Sequence, residues 1–379
     1  MCAKDYSLVQ GLPGTGKTST IAFVARLLAS HGKRVLITSY THAAVDNLMM
    51  KLMEKGMAAN NASAPLLRVG NKSSCHPNVH SILASTVAAA REGVDEYPSP
   101  DSLDSVVSSA KIVGVSALTI PRSSLLIGQH FDVVIVDEAG QISQPAILGA
   151  LMAADLFVLV GDHMQLPPLV QSEVAEQGGR LHVESFCIMI LFSFAASDCF
   201  ISFFSGYNIS MLKRLADKHP SSVAQLAMQY RMHGSICQLS NDIVYNGKLR
   251  CANKDVETRL LHLSGYPSAL LNYTSGESGS CWMKSAIDPS SPVVFLDTDR
   301  IQRPKTPRKP LNDAQNSDTA LTSGLERTTG KNGRGNIVND TEATLVLQIL
   351  HALMECGLEP SKIGVICPFR SQVRVVYSR

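Results

Sequence analysis

Eight residues near the amino terminus, Gly11-Leu12-Pro13-Gly14-Thr15-Gly16-Lys17-Thr18, have the spacing G-x-x-x-x-G-K-[ST]. Glycines at these places let backbone N–H groups converge on phosphate oxygens, and a helix starting at the loop adds its positive end. Lys17 is then expected to reach the β- and γ-phosphates of a nucleotide. The Thr18 hydroxyl is expected to ligate Mg²⁺. Further on, Asp137-Glu138 closes the apolar run Val133-Val134-Ile135-Val136. Asp137 is suited to hold the metal, mainly through water. Glu138 is suited to orient and deprotonate an attacking water. The next apolar run ends in Gly161-Asp162-His163-Met164-Gln165-Leu166-Pro167-Pro168. The Gln165 amide can bond both a phosphate oxygen and that water. Gln229-Tyr230-Arg231-Met232 sets a ring beside a cation. Tyr230 is a candidate to stack on adenine, and Arg231 a candidate arginine finger reaching in from a second domain.

These groups act together only if a scaffold brings them to one edge. Leu8-Val9, Val35-Leu36-Ile37, Lys111 to Val115, Val133 to Val136 and Phe157 to Val160 are short apolar runs without polar alternation. Such strands are buried on both faces, as in a parallel sheet. Helical stretches between them, one from Lys17 to Ala29 with Gly32 beyond its end, predict a doubly wound α/β domain. In that architecture ligands sit at the carboxyl ends of strands, where the polar residues above fall, together with Ser39-Tyr40-Thr41-His42.

Residues 1–222 are expected to form a first domain, with a helical insertion over about 57–109, and residues 223–379 a second α/β domain. Strands are predicted there at Val293-Val294-Phe295-Leu296 and Ile363-Gly364-Val365-Ile366. Asn339-Asp340-Thr341-Glu342 has capping-box spacing for a helix running to Cys356, with Gly357 as its stop. About 299–336 is polar and poor in large apolar residues, and disorder is expected. Residues 180–205 hold six of the 11 phenylalanines. Asp198 inside this stretch, and the need to keep one nucleotide site on one side, argue against a membrane span. It reads as an insertion foreign to the fold, and no membrane partner is expected.

Hydrophobic residues make up 45% and charged residues 17%, enough apolar material for sizeable cores. Thirty-four Lys and Arg against 32 Asp and Glu leave a net charge of +2, so a basic groove must be local. Nine scattered cysteines without a C-x-x-C pair argue against a zinc site or a disulfide framework and fit a reducing compartment. Both ends of the chain read as cut edges.

In their order along the chain these motifs resemble the superfamily 1 helicases of the nonsense-mediated-decay helicase group. They are the glycine loop, Thr38-Ser39-Tyr40-Thr41-His42-Ala43-Ala44-Val45-Asp46-Asn47, Val136-Asp137-Glu138-Ala139, the Gly161–Pro168 run and Gln229-Tyr230-Arg231-Met232. Leu67-Arg68-Val69-Gly70, Pro292 to Asp299 and Ile363 to Arg370 are similar to the subfamily of eukaryotic DNA replication helicase/nucleases. The resemblance implies a P-loop NTPase of two RecA-like parallel-sheet domains, the second incomplete. It implies ATP with Mg²⁺, 5′-to-3′ movement on single-stranded DNA (RNA being the alternative) and a nuclear location. Nucleic-acid contacts then map onto Ser39, Thr41, His42 and Asn47, and Gly11, Pro13, Gly14, Thr15 and Gly16 join Lys17 and Thr18 around the nucleotide. Cys367-Pro368-Phe369 stands where the family usually has T-P-Y, and the last two family motifs do not occur. An RNA helicase of the same group, a nucleotide-dependent switch and an inactive ATP-binding fragment are the other readings.

Overall fold

A computed structural model describes residues 5–57, 66–95, 97–171, 206–273, 282–298, 327–329 and 336–378. The chain divides into two compact units, one of residues 1–232 with 237–256, the other of residues 233–236 with 257–379.

The first unit is built on seven strands: β1 (Tyr6–Gly11), β2 (Val35–Ser39), β3 (Leu66–Arg68), β4 (Ile112–Ser116), β5 (Phe131–Val136), β6 (Ala154–Gly161) and β7 (Val223–Leu226). Their order across the sheet is β3-β4-β2-β5-β6-β1-β7, and every pairing is parallel. All seven carboxyl ends therefore lie along one edge. The apolar runs behave as two-sided strands must. Val35, Ile37, Val133 and Ile135 enter a core with the helices α1 (Lys17–Ser30) and α2 (His42–Glu54). Their neighbours Leu36, Val134 and Val136 enter a core with α3 (Ala84–Glu92), α4 (Pro100–Ser109), α5 (Gln144–Leu151) and α6 (Met211–Lys218). One residue of slip would exchange those two sets. Helix α1 ends as the sequence suggests, with Gly32 at φ +81°.

The structure differs from the sequence reading in several places. Leu66–Arg68 pairs with β4 as the sheet's edge strand, so 57–109 is not wholly a helical insertion. Three residues, one of them an arginine, are too few for periodicity to register. The division expected at 222/223 falls inside the first unit, because Val223–Leu226 pairs with β1 and the unit continues through Met232. Residues 180–205 lie outside the described residues, as does most of 299–336. Within the latter span, Arg327–Thr329 pairs antiparallel with Asn336–Val338 and is a strand.

In the second unit, 293–296 and 363–366 run as chain without ladder partners. Phe295 is 89% exposed and Ile366 96%. A parallel strand is stabilised only by neighbours and by covered faces, which neither segment has here among the described residues. The unit's core forms instead from Leu263, Leu270, Met283, Ile287, Ala352 and Cys356. The helix Asp340–Glu355 is capped by the Asn339 side chain, which accepts from the N–H groups of Thr341 and Glu342 at 3.1 Å. The reciprocal half of the predicted box comes from elsewhere: the Asn339 N–H donates to Gln372 Oε1 at 2.8 Å. Gly357, at φ +89°, stops the helix as expected.

Candidate active site

The glycine loop leaves β1 and enters α1 directly. Gly14 and Gly16 have φ of +72° and +81°, a region that costs other residues roughly 1–2 kcal/mol. At Gly11 the requirement is space, since a Cβ there would overlap the Lys17 side chain. The Thr15 hydroxyl donates to the Leu12 carbonyl at 2.7 Å and closes the turn. Lys17 Nζ donates to the Gly11 carbonyl at 3.0 Å, so its ammonium is folded back over the loop.

Asp137 follows the last residue of β5, and its N–H donates to the Thr38 carbonyl at 2.8 Å, which ties it to the end of β2. Its side chain is 5% exposed. Burial, and then the adjacent Glu138 charge, push its carboxyl up to about 6, while the Glu138 N–H and the Lys17 ammonium pull it down. Lys17 and Asp137 are thus near enough to share one electrostatic site. A divalent cation beside Asp137 would add positive charge to this buried acid, whose carboxylate is a suitable oxygen donor for Mg²⁺. Glu138 has φ +50° and ψ +37°, left-handed geometry for a residue with a side chain. Such backbone costs about 1–3 kcal/mol and persists where the surroundings dictate it. Gln141 donates to Glu138 Oε2 at 3.5 Å.

Two glycines bring the acidic loop against the Gln165 loop. A Cβ on Gly140 would lie 2.9 Å from the Asp162 carbonyl oxygen, and one on Gly161 would lie 2.9 Å from Gly140 N and 3.0 Å from Ala139 N. Gly161→Ala is therefore expected to push the two loops apart and destabilise the protein by about 1–3 kcal/mol. A thermal melt unchanged from the parent would contradict that packing. Within the Gln165 loop, Asp162 accepts from Gln165 Nε2 at 2.8 Å and from the Met164 N–H at 3.1 Å.

Gln229-Tyr230-Arg231 lies in the first unit, on the glycine loop, and not in a second domain as expected. The Tyr230 N–H donates to the Gly14 carbonyl at 2.9 Å, and the Gly14 Cβ position is 2.9 Å from Arg231 Cβ. Gln229 is fully buried. Its Oε1 accepts from the N–H groups of Arg231 and Met232 at 2.8 and 2.6 Å, and its Nε2 donates to the Met232 carbonyl at 2.7 Å. One amide side chain thus fixes the bend that presents Tyr230, which is 60% exposed, and Arg231.

Two AAA-domain family models match the sequence, one over residues 207–379 and the other over residues 1–96 and 88–173. Over 377 residues the chain is 34% identical to the DNA replication ATP-dependent helicase/nuclease DNA2 of Xenopus laevis, covering 99% of this chain and 30% of that protein. The Homo sapiens protein of the same name is 32% identical over 378 residues, with the same coverage. The chain belongs to the superfamily 1 helicases. It spans under a third of the length of these two relatives. An arterivirus nonstructural protein 10 helicase solved with DNA aligns with a TM-score of 0.35 and 16% identity, over 65% of this chain and 42% of that one. That likeness is too low to carry an argument.

Within this helicase family member the four candidate strand contacts are not presented alike. Ser39 is fully buried, and its hydroxyl has no hydrogen-bond partner among the described residues. Thr41 Oγ1 caps α2 by accepting from the Ala44 N–H at 3.2 Å. His42 Nδ1 lies 3.1 Å from Arg68 Nη2. Asn47 is exposed on α2. Asp46, in the same turn, is buried and accepts from Arg68 Nε at 2.7 Å and from the His76 N–H at 2.8 Å. The motif spacing does not point to Arg68, Gln229 or the pair Gly140 and Gly161 as site residues. In the sequence, the Leu67-Arg68-Val69-Gly70 run carries only a likeness to the subfamily. An arginine inside an apolar edge strand was the physical signal available.

Proposed function

We propose that this chain is an ATP-dependent 5′-to-3′ motor on single-stranded DNA, working in replication and repair in the nucleus. The observation that supports it best is the seating of Gln229-Tyr230-Arg231 on Gly14, beside a lysine whose charge acts on a buried acid. Gly14 and Gly16 leave amides free to face phosphates, and Lys17 swings from the Gly11 carbonyl to the β- and γ-phosphates. Mg²⁺, when bound, would be held by Thr18 and Asp137 and would neutralise phosphate charge. Glu138 takes the proton of the attacking water. Gln165 orients that water, Arg231 offsets charge developing on the γ-phosphate, and Tyr230 offers its exposed ring to adenine. The names of the relatives, DNA replication helicase/nucleases, favour DNA over RNA.

Phosphate release should rise when single-stranded DNA is added, and rise less with RNA of the same sequence. Equal or greater stimulation by RNA would replace this reading by the RNA-helicase one, and nucleotide binding without any stimulated turnover would favour an inactive fragment. Contacts of Thr41, His42 and Asn47 to the strand would go to its backbone, which positions without reading sequence. Asn47→Ala is therefore expected to weaken binding several-fold, equally for mixed and homopolymeric strands. Fluorescence anisotropy at fixed salt measures this, and a loss confined to one sequence would contradict a backbone contact.

A further inference from the structure

The Gln165 loop touches a residue that no motif includes. Tyr245 is 6% exposed, and its hydroxyl donates to Asp162 Oδ2 at 2.9 Å, the same oxygen that Gln165 Nε2 reaches at 2.8 Å. Asp162, 3% exposed, thus gathers two side-chain donors and one backbone donor, all from residues that flank the site.

Tyr245 itself is held rigidly. It closes a single π-helical turn, Asn241–Tyr245, of the kind found often at functional sites. The Asn246 N–H donates to the Asn241 carbonyl at 2.8 Å. The Asn241 side chain brackets Leu249, donating to its carbonyl at 2.8 Å and accepting from its N–H at 3.0 Å. The Tyr245 ring packs in a cluster with Leu12 of the glycine loop, Cys237 and Leu249. One side chain therefore joins the packing beneath the phosphate cradle to the carboxylate that grips Gln165.

We propose that Tyr245 is a positioning residue for nucleotide hydrolysis, its hydroxyl fixing Asp162 so that the Gln165 amide is held with Nε2 inward and Oε1 available to accept from the attacking water. This rests on the Gln165 role proposed above. The physical reason is that a glutamine on an exposed loop has several rotamers of similar energy. A charged acceptor bonded to its nitrogen selects one of them, and a second donor on that acceptor keeps the acceptor itself from turning. Preorganisation of this kind is felt where charge develops in the transition state and much less in the ground state.

The test uses the 379-residue chain and compares binding of a fluorescent ADP, with Mg²⁺, in the absence and presence of aluminium fluoride. The fluoride complex imitates the transferring phosphoryl group, so the gain in affinity reports on the γ-phosphate region alone. Gln165→Ala is expected to lose about tenfold of that gain, the size of one hydrogen bond to a charged partner. Tyr245→Phe keeps the ring and should lose a comparable factor with ADP binding and melting temperature unchanged. The double variant should be no worse than Gln165→Ala alone, because the two act through one group. If Gln165→Ala keeps the full gain, the Gln165 role fails and takes this proposal with it. If Gln165→Ala loses the gain while Tyr245→Phe retains it, only the positioning role is overturned, as it is by additive losses in the double variant. Should Tyr245→Phe melt early, Asp162→Asn makes the same comparison from the carboxylate side, and retention of the gain there overturns the proposal.

Discussion

Lys17→Ala is expected to reduce ATP turnover by at least about 10²–10³-fold, with single-stranded DNA binding in the absence of nucleotide largely kept. The lysine is the one side chain of the glycine loop that carries charge, and removing one preorganised electrostatic donor costs about that factor in comparable sites. A second effect adds to it. The Lys17 charge holds the Asp137 carboxyl down against burial and Glu138, so its loss leaves that acid harder to ionise and a poorer partner for a cation. The strand contacts proposed on α2 do not involve Lys17, which is why binding should survive. Steady-state phosphate release, with and without DNA, checks the first part and anisotropy the second. Turnover equal to that of the parent would refute the assignment of Lys17, whatever happened to DNA binding.

The second large effect is on stability. Arg68 and Asp46 form an ion pair at 2.7 Å with side chains 0% and 3% exposed. Arg68 also donates to the Val69 carbonyl at 2.6 Å and approaches the Gly114 carbonyl at 3.4 Å. Arg68→Ala would leave Asp46 as a buried charge with only the His76 N–H described beside it. Breaking such a pair from one side costs about 3–5 kcal/mol. A fall in melting temperature on the order of 10 °C follows for a unit of this size. The double change Arg68→Met with Asp46→Leu should restore part of the loss, since a well-packed apolar pair of similar volume is often no less stable than the ions. A single variant that melts like the parent would mean the pair contributes nothing. The same experiment bears on strand binding, because Arg68 also meets the ring of His42.

The first sheet was largely legible in the sequence because burial on both faces leaves a plain mark. Val133 to Val136 or Val35 to Ile37 can hardly be anything but interior parallel strands. The glycine loop and the acids were legible because phosphate and metal chemistry constrains spacing within a few residues. What the sequence hid were contacts between segments distant in the chain. Nothing around Tyr245 says that it faces Asp162, and nothing around Gly140 says that it abuts Gly161. Gln229 looked like a neighbour of the interesting residues and proved to be their organiser. The strands expected at 293–296 and 363–366 failed for the converse reason: apolar runs report a capacity for pairing, and the partner decides whether it is used.

The left-handed backbone at Glu138 has a consequence for protein engineering. Glycine occupies that conformation without penalty, so Glu138→Gly should raise the melting temperature slightly while removing the base proposed for hydrolysis. A library sorted only for heat resistance would enrich glycine at position 138, and one sorted for activity would purge it. The position would thus separate durability from catalysis.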